Sequence, residues 1–488
     1  MTEVFRFIVP ELVLLATMCL FLLWSAFLVP EQGQPAKGLR DRWAIAALAA
    51  VALAGWFWWQ QSPQASGWGL FRLDALTWVV RGITLAWGGL LLSMAWRLTD
   101  DRRAGETQAC LLAVLAGIGL TAAANDLVTL FLALELVSIS TYILLLYPRP
   151  EPLALEATLK YFLLSIFSSA LFLFGLSYLY GVTGSTNLVA LAQTFSEHEQ
   201  PFPALLPLAL TLVLTGLSFR LTLVPFHWYA PDVMAGTNTV TAALLAVVPK
   251  LVGFVALERL LFASSGMMHR FDTSFMPLLT TLALITMIVG NLLALLQDDV
   301  RRLLAYSSIS HAGYMLVGFI TGLTPVGSPN GREALFFYLA VYGITTLGVF
   351  AALAVLQRAG ENACELEHFA GLSQRHPVVA AFLALLLLSL AGLPPTVGFL
   401  AKLQLFLAAW NVGTETAHWL AWGLAATSVI SAWYYLKWAG AMYLRPSTRT
   451  EQLTAIEGPA MTALTLCAAG VLLLFFLPQL CWQLFQII

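Results

Sequence analysis

Apolar stretches long enough to cross a bilayer follow one another along the whole chain, separated by short polar connections. With boundaries good to about four residues, they run 7–29, 43–59, 75–96, 108–124, 127–148, 155–180, 203–228, 237–259, 275–296, 301–322, 332–357, 378–408, 418–444 and 458–485. A membrane helix needs about 20 mostly apolar residues, and a backbone in hydrocarbon must satisfy its own hydrogen bonds, which a lone segment does only as a helix. The pattern therefore predicts an all-α polytopic membrane protein of about 14 transmembrane helices. The first segment, MTEVFRFIVPELVLLATMCLFLLWSAFLV, reads as a membrane helix and not a signal peptide, because Glu3 stands against Arg6 and the apolar run is of span length. The least defined junction is Asn125–Asp126, where two helices meet with almost no loop.

Laying segments four to eight on segments nine to thirteen brings out a repeat. SISTYILL at Ser138 matches SISHAGYML at Ser308, EATLKYF at Glu156 matches EALFFYL at Glu333, and LTGL at Leu214 matches LAGL at Leu390. Three ordered matches at nearly one spacing suggest a duplication, about 108–259 and 275–444, within a single transmembrane domain covering 1–488. Five helices per unit forces the two copies to cross the membrane in opposite senses. Inverted repeats with paired broken helices are a transporter signature. The expected breaks lie in the seventh segment, before Pro225 and Pro231, and in the twelfth, at Pro394 and Pro395.

Charges inside the apolar stretches cluster at these breaks. Arg220 precedes the first, Lys250 follows it inside AALLAVVPKLVGF, and Lys402 follows the second in AGLPPTVGFLAKLQLF. An intramembrane cation costs about 2.5–3.5 kcal/mol on insertion scales, so three beside broken backbone point to an internal polar path. The competing account, snorkelling to water from a helix end, would have to hold three times. Glu135, among leucines in LVTLFLALELVSIS, is expected to pair with Arg220, since pairing lets both stay charged. A purely structural ion pair is the alternative. A desolvated lysine can take up and release a proton, which suits Lys250 and Lys402 to proton transfer. Lys160 lies at i+4 from Glu156, which is equally a surface pair. His311, in SSISHAGY, is a candidate relay or a packed core histidine, and His227 sits among Trp228 and Tyr229 at the first break. Lys437 reads as snorkelling, and the charges of QDDVRRLLAY as a solvated loop; Arg81 and Arg259 receive no role from the sequence.

Composition sharpens this. The 488 residues are 59% hydrophobic and 10% charged, with mean hydropathy +0.82, against roughly 25% charged in soluble domains. A net charge of −2 speaks against a nucleic-acid partner. Cys19, Cys110, Cys364, Cys467 and Cys481 stand singly, with no spacing that suggests a metal or iron–sulfur site, and no glycine-rich nucleotide loop appears. No redox cofactor or metal is expected in this chain. Loops after odd-numbered segments hold Lys37, Arg40, Arg42, Arg97, Arg102, Arg103, Arg149, Arg301, Arg302, Arg358, Arg375, Arg445 and Arg449; those after even-numbered segments hold Arg72, Arg270 and Arg332. The positive-inside bias puts the odd loops in the cytoplasm and both termini outside.

Taken together, ALELVSISTYILL, LEATLKYFLLSIFSSALFLFG, YLYGVTGSTNL, LVPFHWYAPDV, RRLLAYSSISHAGYMLVGF and LAGLPPTVGFLAKLQLF resemble the antiporter-like membrane subunits of respiratory complex I, the N-type above all. The resemblance covers nearly the whole chain. It implies 14 helices, two inverted five-helix repeats and discontinuous helices seven and twelve. It also implies functional roles for Glu135, Lys160, Lys250 and Lys402. At position 220 the chain departs, with arginine in FRLTLVPFH where the family has lysine; arginine keeps the charge but hands on no proton. The expected function is proton translocation coupled to quinone reduction in an NADH–quinone oxidoreductase of the inner membrane. NADH, FMN, iron–sulfur clusters and quinone would belong to partner subunits. The other membrane subunits, the lipid bilayer and internal water would be this chain's partners. The alternative is a subunit of a multi-subunit cation/proton antiporter or membrane-bound hydrogenase.

Overall fold

Each apolar segment emerges as helix in the computed structural model, which describes residues 7–28, 38–63, 66–147, 152–197, 205–261, 275–324, 329–358, 365–446 and 458–487. Lys37, Arg149, Arg270 and Arg449 of the loop-charge pattern, with Glu3, Arg6 and Cys364, lie outside the described residues. Eleven described helices are long and apolar enough to cross a membrane by length and composition. The other three of the fourteen segments are the seventh, the twelfth and the thirteenth. The seventh stops at Arg220 in the helix Leu205–Arg220 and resumes as Tyr229–Gly236. The twelfth divides into Pro377–Ala391 and Val397–Val412. The thirteenth, Glu415–Leu444, has ample length but many Trp, Tyr and Ser residues. The fourteenth also breaks, at Leu477, between Pro459–Phe476 and Pro478–Phe485, because Pro478 cannot donate into the preceding turn.

Helix starts follow side-chain capping. Asp74 accepts from Thr77 N, Asp126 from Val128 N and Thr129 N, Asp299 from Arg302 N and Thr414 from Ala417 N. Asp126 settles the Asn125–Asp126 junction: the helix Ala104–Ala123 ends, Ala124 and Asn125 turn, and Asp126 caps Leu127–Leu146. Several short elements escaped the hydropathy pattern, among them Tyr229–Gly236, Leu366–Phe369 and Leu372–Arg375, and two bear on this junction. A short hairpin pairs Ser66–Trp68 with Phe71–Leu73, and a ten-residue helix covers Leu188–Glu197. Both pin the junction: Asn125 N donates to Leu70 O, while Leu188 N donates to Asn125 O, each at 2.9 Å.

Contacts divide the chain into two compact units. Unit one holds Met1–Leu92, Thr99–Thr222 and Val248–Phe275; unit two holds Ser93–Leu98, Leu223–Val247 and Met276–Ile488. In unit one Val9–Leu28 packs on Ala104–Ala123, and Pro152–Thr183 on Leu205–Arg220. The second pair meets through small residues. A Cβ on Gly216 would fall 2.7 Å from Phe172 Cβ and 2.9 Å from its backbone, so only glycine allows this approach. In unit two Gly331–Arg358 is central and packs on Val300–Gly322, Val397–Val412 and Pro459–Phe476.

Candidate functional site

The first break places Arg220 at the end of its half-helix, and Thr222 just beyond takes the left-handed conformation with φ 57°. For a β-branched residue that is strained backbone, of a kind that clusters at functional sites. The Arg220 guanidinium donates from Nη2 to Glu135 Oε1 at 2.7 Å and to Ser169 Oγ at 3.2 Å, and from Nη1 to Ser138 Oγ at 2.8 Å and to Leu134 O at 3.3 Å. Ser169 donates in turn to the same Glu135 oxygen at 2.6 Å. The close contact at Gly216 makes this possible, since it brings the Pro152–Thr183 helix near enough for Ser168 to reach Gly216 O at 2.6 Å and Ser169 to reach Arg220. The pair is unequal: the arginine side chain is 8% exposed and the carboxylate 21%.

Lys250 is wholly buried in the helix Thr239–Leu261, directly after Pro249. Pro249 has no N–H to give to the Leu245 carbonyl, so the helix ladder is weakened beside the lysine. One turn further, Gly253 lies against the Leu221 side chain, next to Arg220 in sequence. In unit two, Lys402 Nζ donates to Ala391 O at 2.9 Å and to Ser431 Oγ at 3.3 Å, and lies 5.2 Å from the Tyr314 ring centre. Ala391 ends the first half of the broken twelfth segment, so its carbonyl is at the negative end of a helix dipole and suits an ammonium group. Gly392, at φ 79°, makes room: a Cβ there would lie 2.6 Å from Lys402 Cδ.

His311 is buried in a tyrosine cluster. Its Nδ1 lies 2.6 Å from Tyr338 Oη and its Nε2 3.2 Å from Tyr435 Oη, and the Tyr342 ring is tilted by 35° at 4.9 Å between centres. Tyr435 continues to Ser307, while Tyr342 Oη donates to Ala246 O at 3.2 Å. Lys160 pairs with Glu156 at 2.7 Å and is 40% exposed. His227 is buried against Trp228, with ring centres 4.9 Å apart.

Two ion pairs were not foreseen. Arg81 binds Glu11 through Nε to Oε1 at 2.7 Å and Nη2 to Oε2 at 2.9 Å, and also donates to Gln61 Oε1 and Phe7 O. Both partners are 2% exposed. Arg259 binds Asp74 through Nη1 to Oδ2 and Nη2 to Oδ1, each 2.7 Å, with further bonds to Thr77 Oγ1 and Ala122 O. The available signal was opposite charges in separate apolar segments, as with Glu135 and Arg220. Burial pushes the Asp74 carboxyl up, but the Arg259 guanidinium and Thr77 outweigh it and hold the group well below the usual carboxylate range. The charges of QDDVRRLLAY also do more than face solvent. Arg301 donates to Thr237 O at 2.7 Å, Arg302 reaches Asp232 at 3.1 Å, and Lys437 meets Asp298 at 3.1 Å.

A family model described as NADH:quinone oxidoreductase/Mrp antiporter, transmembrane, matches residues 124–431, which include both breaks and every charged group named at them. NADH-quinone oxidoreductase subunit N of Geobacillus kaustophilus (strain HTA426) is 39% identical over 94% of this chain and 93% of its own. A chain of respiratory complex I from Thermus thermophilus superposes with TM-score 0.76 at 30% identity, over 96% of this chain and 98% of that one. A chain of the Mrp complex from Dietzia sp. DQ12-45-1b gives TM-score 0.76 at 21% identity, over 98% and 96%, a likeness of fold alone. With a family match across most of its length and relatives of this identity, the chain belongs to the NADH:quinone oxidoreductase/Mrp antiporter transmembrane family and stands among its subunit N proteins.

Proposed function

We propose that this chain is a proton-translocating membrane subunit of an NADH–quinone oxidoreductase, itself without cofactors, in the inner membrane with both termini outside. Flavin, iron–sulfur clusters and quinone belong to partner subunits in this reading. Glu135 and Arg220 form the switch. The observation that carries this is the sharing of Glu135 Oε1 between Arg220 and Ser169, while Arg220 also holds Ser138 and Leu134 O. Each partner therefore has hydrogen bonds to keep when the pair opens, which lowers the cost of separating two charges in a low dielectric.

Opening and closing the pair changes the field at Lys250, which takes up a proton when the field favours its ammonium form and gives it up when the field reverses. Lys402 then holds the proton at the half-helix end against Ala391 O and Ser431 before release to the outside. His311, with Tyr338 and Tyr435, is a relay in unit two; Tyr342 ties that cluster to Ala246, four residues before Lys250 in one helix. Lys160 is the remaining family lysine, and its pairing with Glu156 makes it the weakest member of the set. The 108–259 and 275–444 segments are two inverted copies of one ancestral unit.

Purification from membranes in mild detergent tests the assignment. Flavin and iron–sulfur partners migrating with the chain are expected; their absence, with cation/proton exchange retained, would assign it to an antiporter instead. Single cysteines on a Cys-free background test the orientation: position 38 should label only from the cytoplasm, and position 196 only from outside. Labelling of positions 38 and 196 from one face would overturn the helix count.

A further inference from the structure

Lys402 is buried with no acidic side chain against it among the described residues, so its ammonium group depends on neutral partners. An ammonium has three N–H bonds to place. Ala391 O takes one, and Ser431 Oγ offers a lone pair to another, because its own proton goes to Ser428 O at 2.7 Å. The Tyr314 ring is the third partner. Its centre lies 5.2 Å from Nζ, within reach of a cation–π attraction. The carbonyl is part of the main chain and the hydroxyl is tied to it, whereas the ring sits at the end of a side chain and needs an anchor of its own.

Asn291 supplies that anchor. It lies wholly buried in the helix Phe275–Leu295, in unit two with Tyr314 and Lys402. Its amide can sit only one way round. Met287 O, 2.8 Å away, can only accept, so the atom facing it must be the nitrogen, which donates. The second Nδ2 hydrogen goes to Tyr314 Oη at 2.9 Å. Oδ1 then accepts from Tyr434 Oη at 3.1 Å. Three bonds fix the amide, one of them to its own helix backbone, and one of the three passes that fixity to the hydroxyl end of the Tyr314 ring.

We infer that Asn291 is a positioning residue for Lys402: by anchoring the Tyr314 hydroxyl it keeps the ring over the ammonium and completes its cradle of three partners. This rests on the reading that Lys402 holds a proton in transit. Asn291 itself stays out of the transfer.

The test combines NADH-driven proton uptake per assembled complex, in inverted vesicles, with the infrared C–O stretch of Tyr314, isolated in each background as the difference from its Tyr314→Phe counterpart. Asn291→Leu branches at the same carbon but makes no hydrogen bonds. It should shift the band and lower uptake on the order of fivefold, the factor carried by one neutral hydrogen bond of ordinary net strength. Tyr314→Leu removes the ring and should lower uptake at least as far, and adding Asn291→Leu to it should lower uptake no further. An unshifted band, or a further loss in that double variant, would overturn the proposal, since a role in packing alone adds its cost in either background. Should Asn291→Leu fail to assemble, Tyr314→Phe cuts the same bond from the other end, and full uptake in that assembled variant would overturn the anchor. The band is read without turnover. Full uptake in Lys402→Ala together with a shifted Asn291→Leu band would therefore count against Lys402 as a proton carrier and leave the anchor standing.

Discussion

Unit one contains two kinds of buried ion pair, and their hydrogen bonds distinguish them. Arg81 takes both oxygens of Glu11, and Arg259 both oxygens of Asp74; the remaining donors of each go to fixed neighbours such as Phe7 O and Ala122 O. Arg220 takes one oxygen of Glu135 and spreads its other bonds over Ser138, Ser169 and Leu134 O. A pair in which the guanidinium grips both carboxylate oxygens must break two charge-assisted bonds at once to open. A single-oxygen pair flanked by hydroxyl groups has a second arrangement at hand, because hydroxyls rotate to donate or accept. Under the proposed switch, burial alone would not mark a functional charge, whereas the availability of alternative partners would.

The largest effect is expected at the shared pair. Arg220→Ala leaves Glu135 without its cation, at a cost of about 3–5 kcal/mol for a broken buried pair, and should abolish proton uptake in inverted vesicles. Arg220→Lys should retain much of it, as a point charge at the same place. Glu135→Gln should be as damaging as Arg220→Ala, and the double variant should recover part of either loss. Strictly additive losses across the cycle would remove the switch.

The locked pairs should fail differently. Arg81→Ala strands Glu11 at 2% exposure, with a similar penalty of about 3–5 kcal/mol that should appear as less assembled complex on a native gel. Uptake per assembled complex should be unchanged, and replacing both Arg81 and Glu11 by Met should restore assembly. Loss of uptake in assembled Arg81→Ala would erase the distinction between the two kinds of pair.

Smaller effects are expected in unit two. Lys402→Ala should lower uptake with assembly intact, since Ala391 O and Ser431 are ordinary polar groups that water can serve once the ammonium is gone. Full uptake in that variant would take Lys402 out of the path. Gly392→Ala should cost about 1–2 kcal/mol for a side chain in the left-handed region and crowd Lys402 Cδ. A modest fall in thermal stability with partly reduced uptake is the expected result; unchanged values of both would show that Lys402 does not need the space.

The hydropathy pattern located the helices to within a few residues, because a span must be continuously apolar and the signal extends over 20 positions. Pro225, Pro394 and Pro395 marked where two of them break, since proline cannot donate to the ladder. The pattern was silent on the 66–73 hairpin and on Leu188–Glu197, which are short and only partly apolar. It also missed Pro478 as a third break, since nothing charged stands beside it.

What the sequence by itself determined is the class of molecule, the apolar segments, the broken pair, and the presence of charges inside apolar segments: Glu135, Arg220, Lys250 and Lys402. These follow from transfer free energies and covalent geometry, which act residue by residue. Which charges meet was decided by the tertiary structure. Glu11 and Arg81 are 70 positions apart, and Asp74 and Arg259 185 apart. Nothing in either local stretch encodes the partner, because an ion pair depends on the distance between two helices once packed. The same holds for Ser169, an ordinary helix serine in the sequence. It gains its place beside Glu135 only because Gly216 lets two helices come close enough for a hydroxyl to reach.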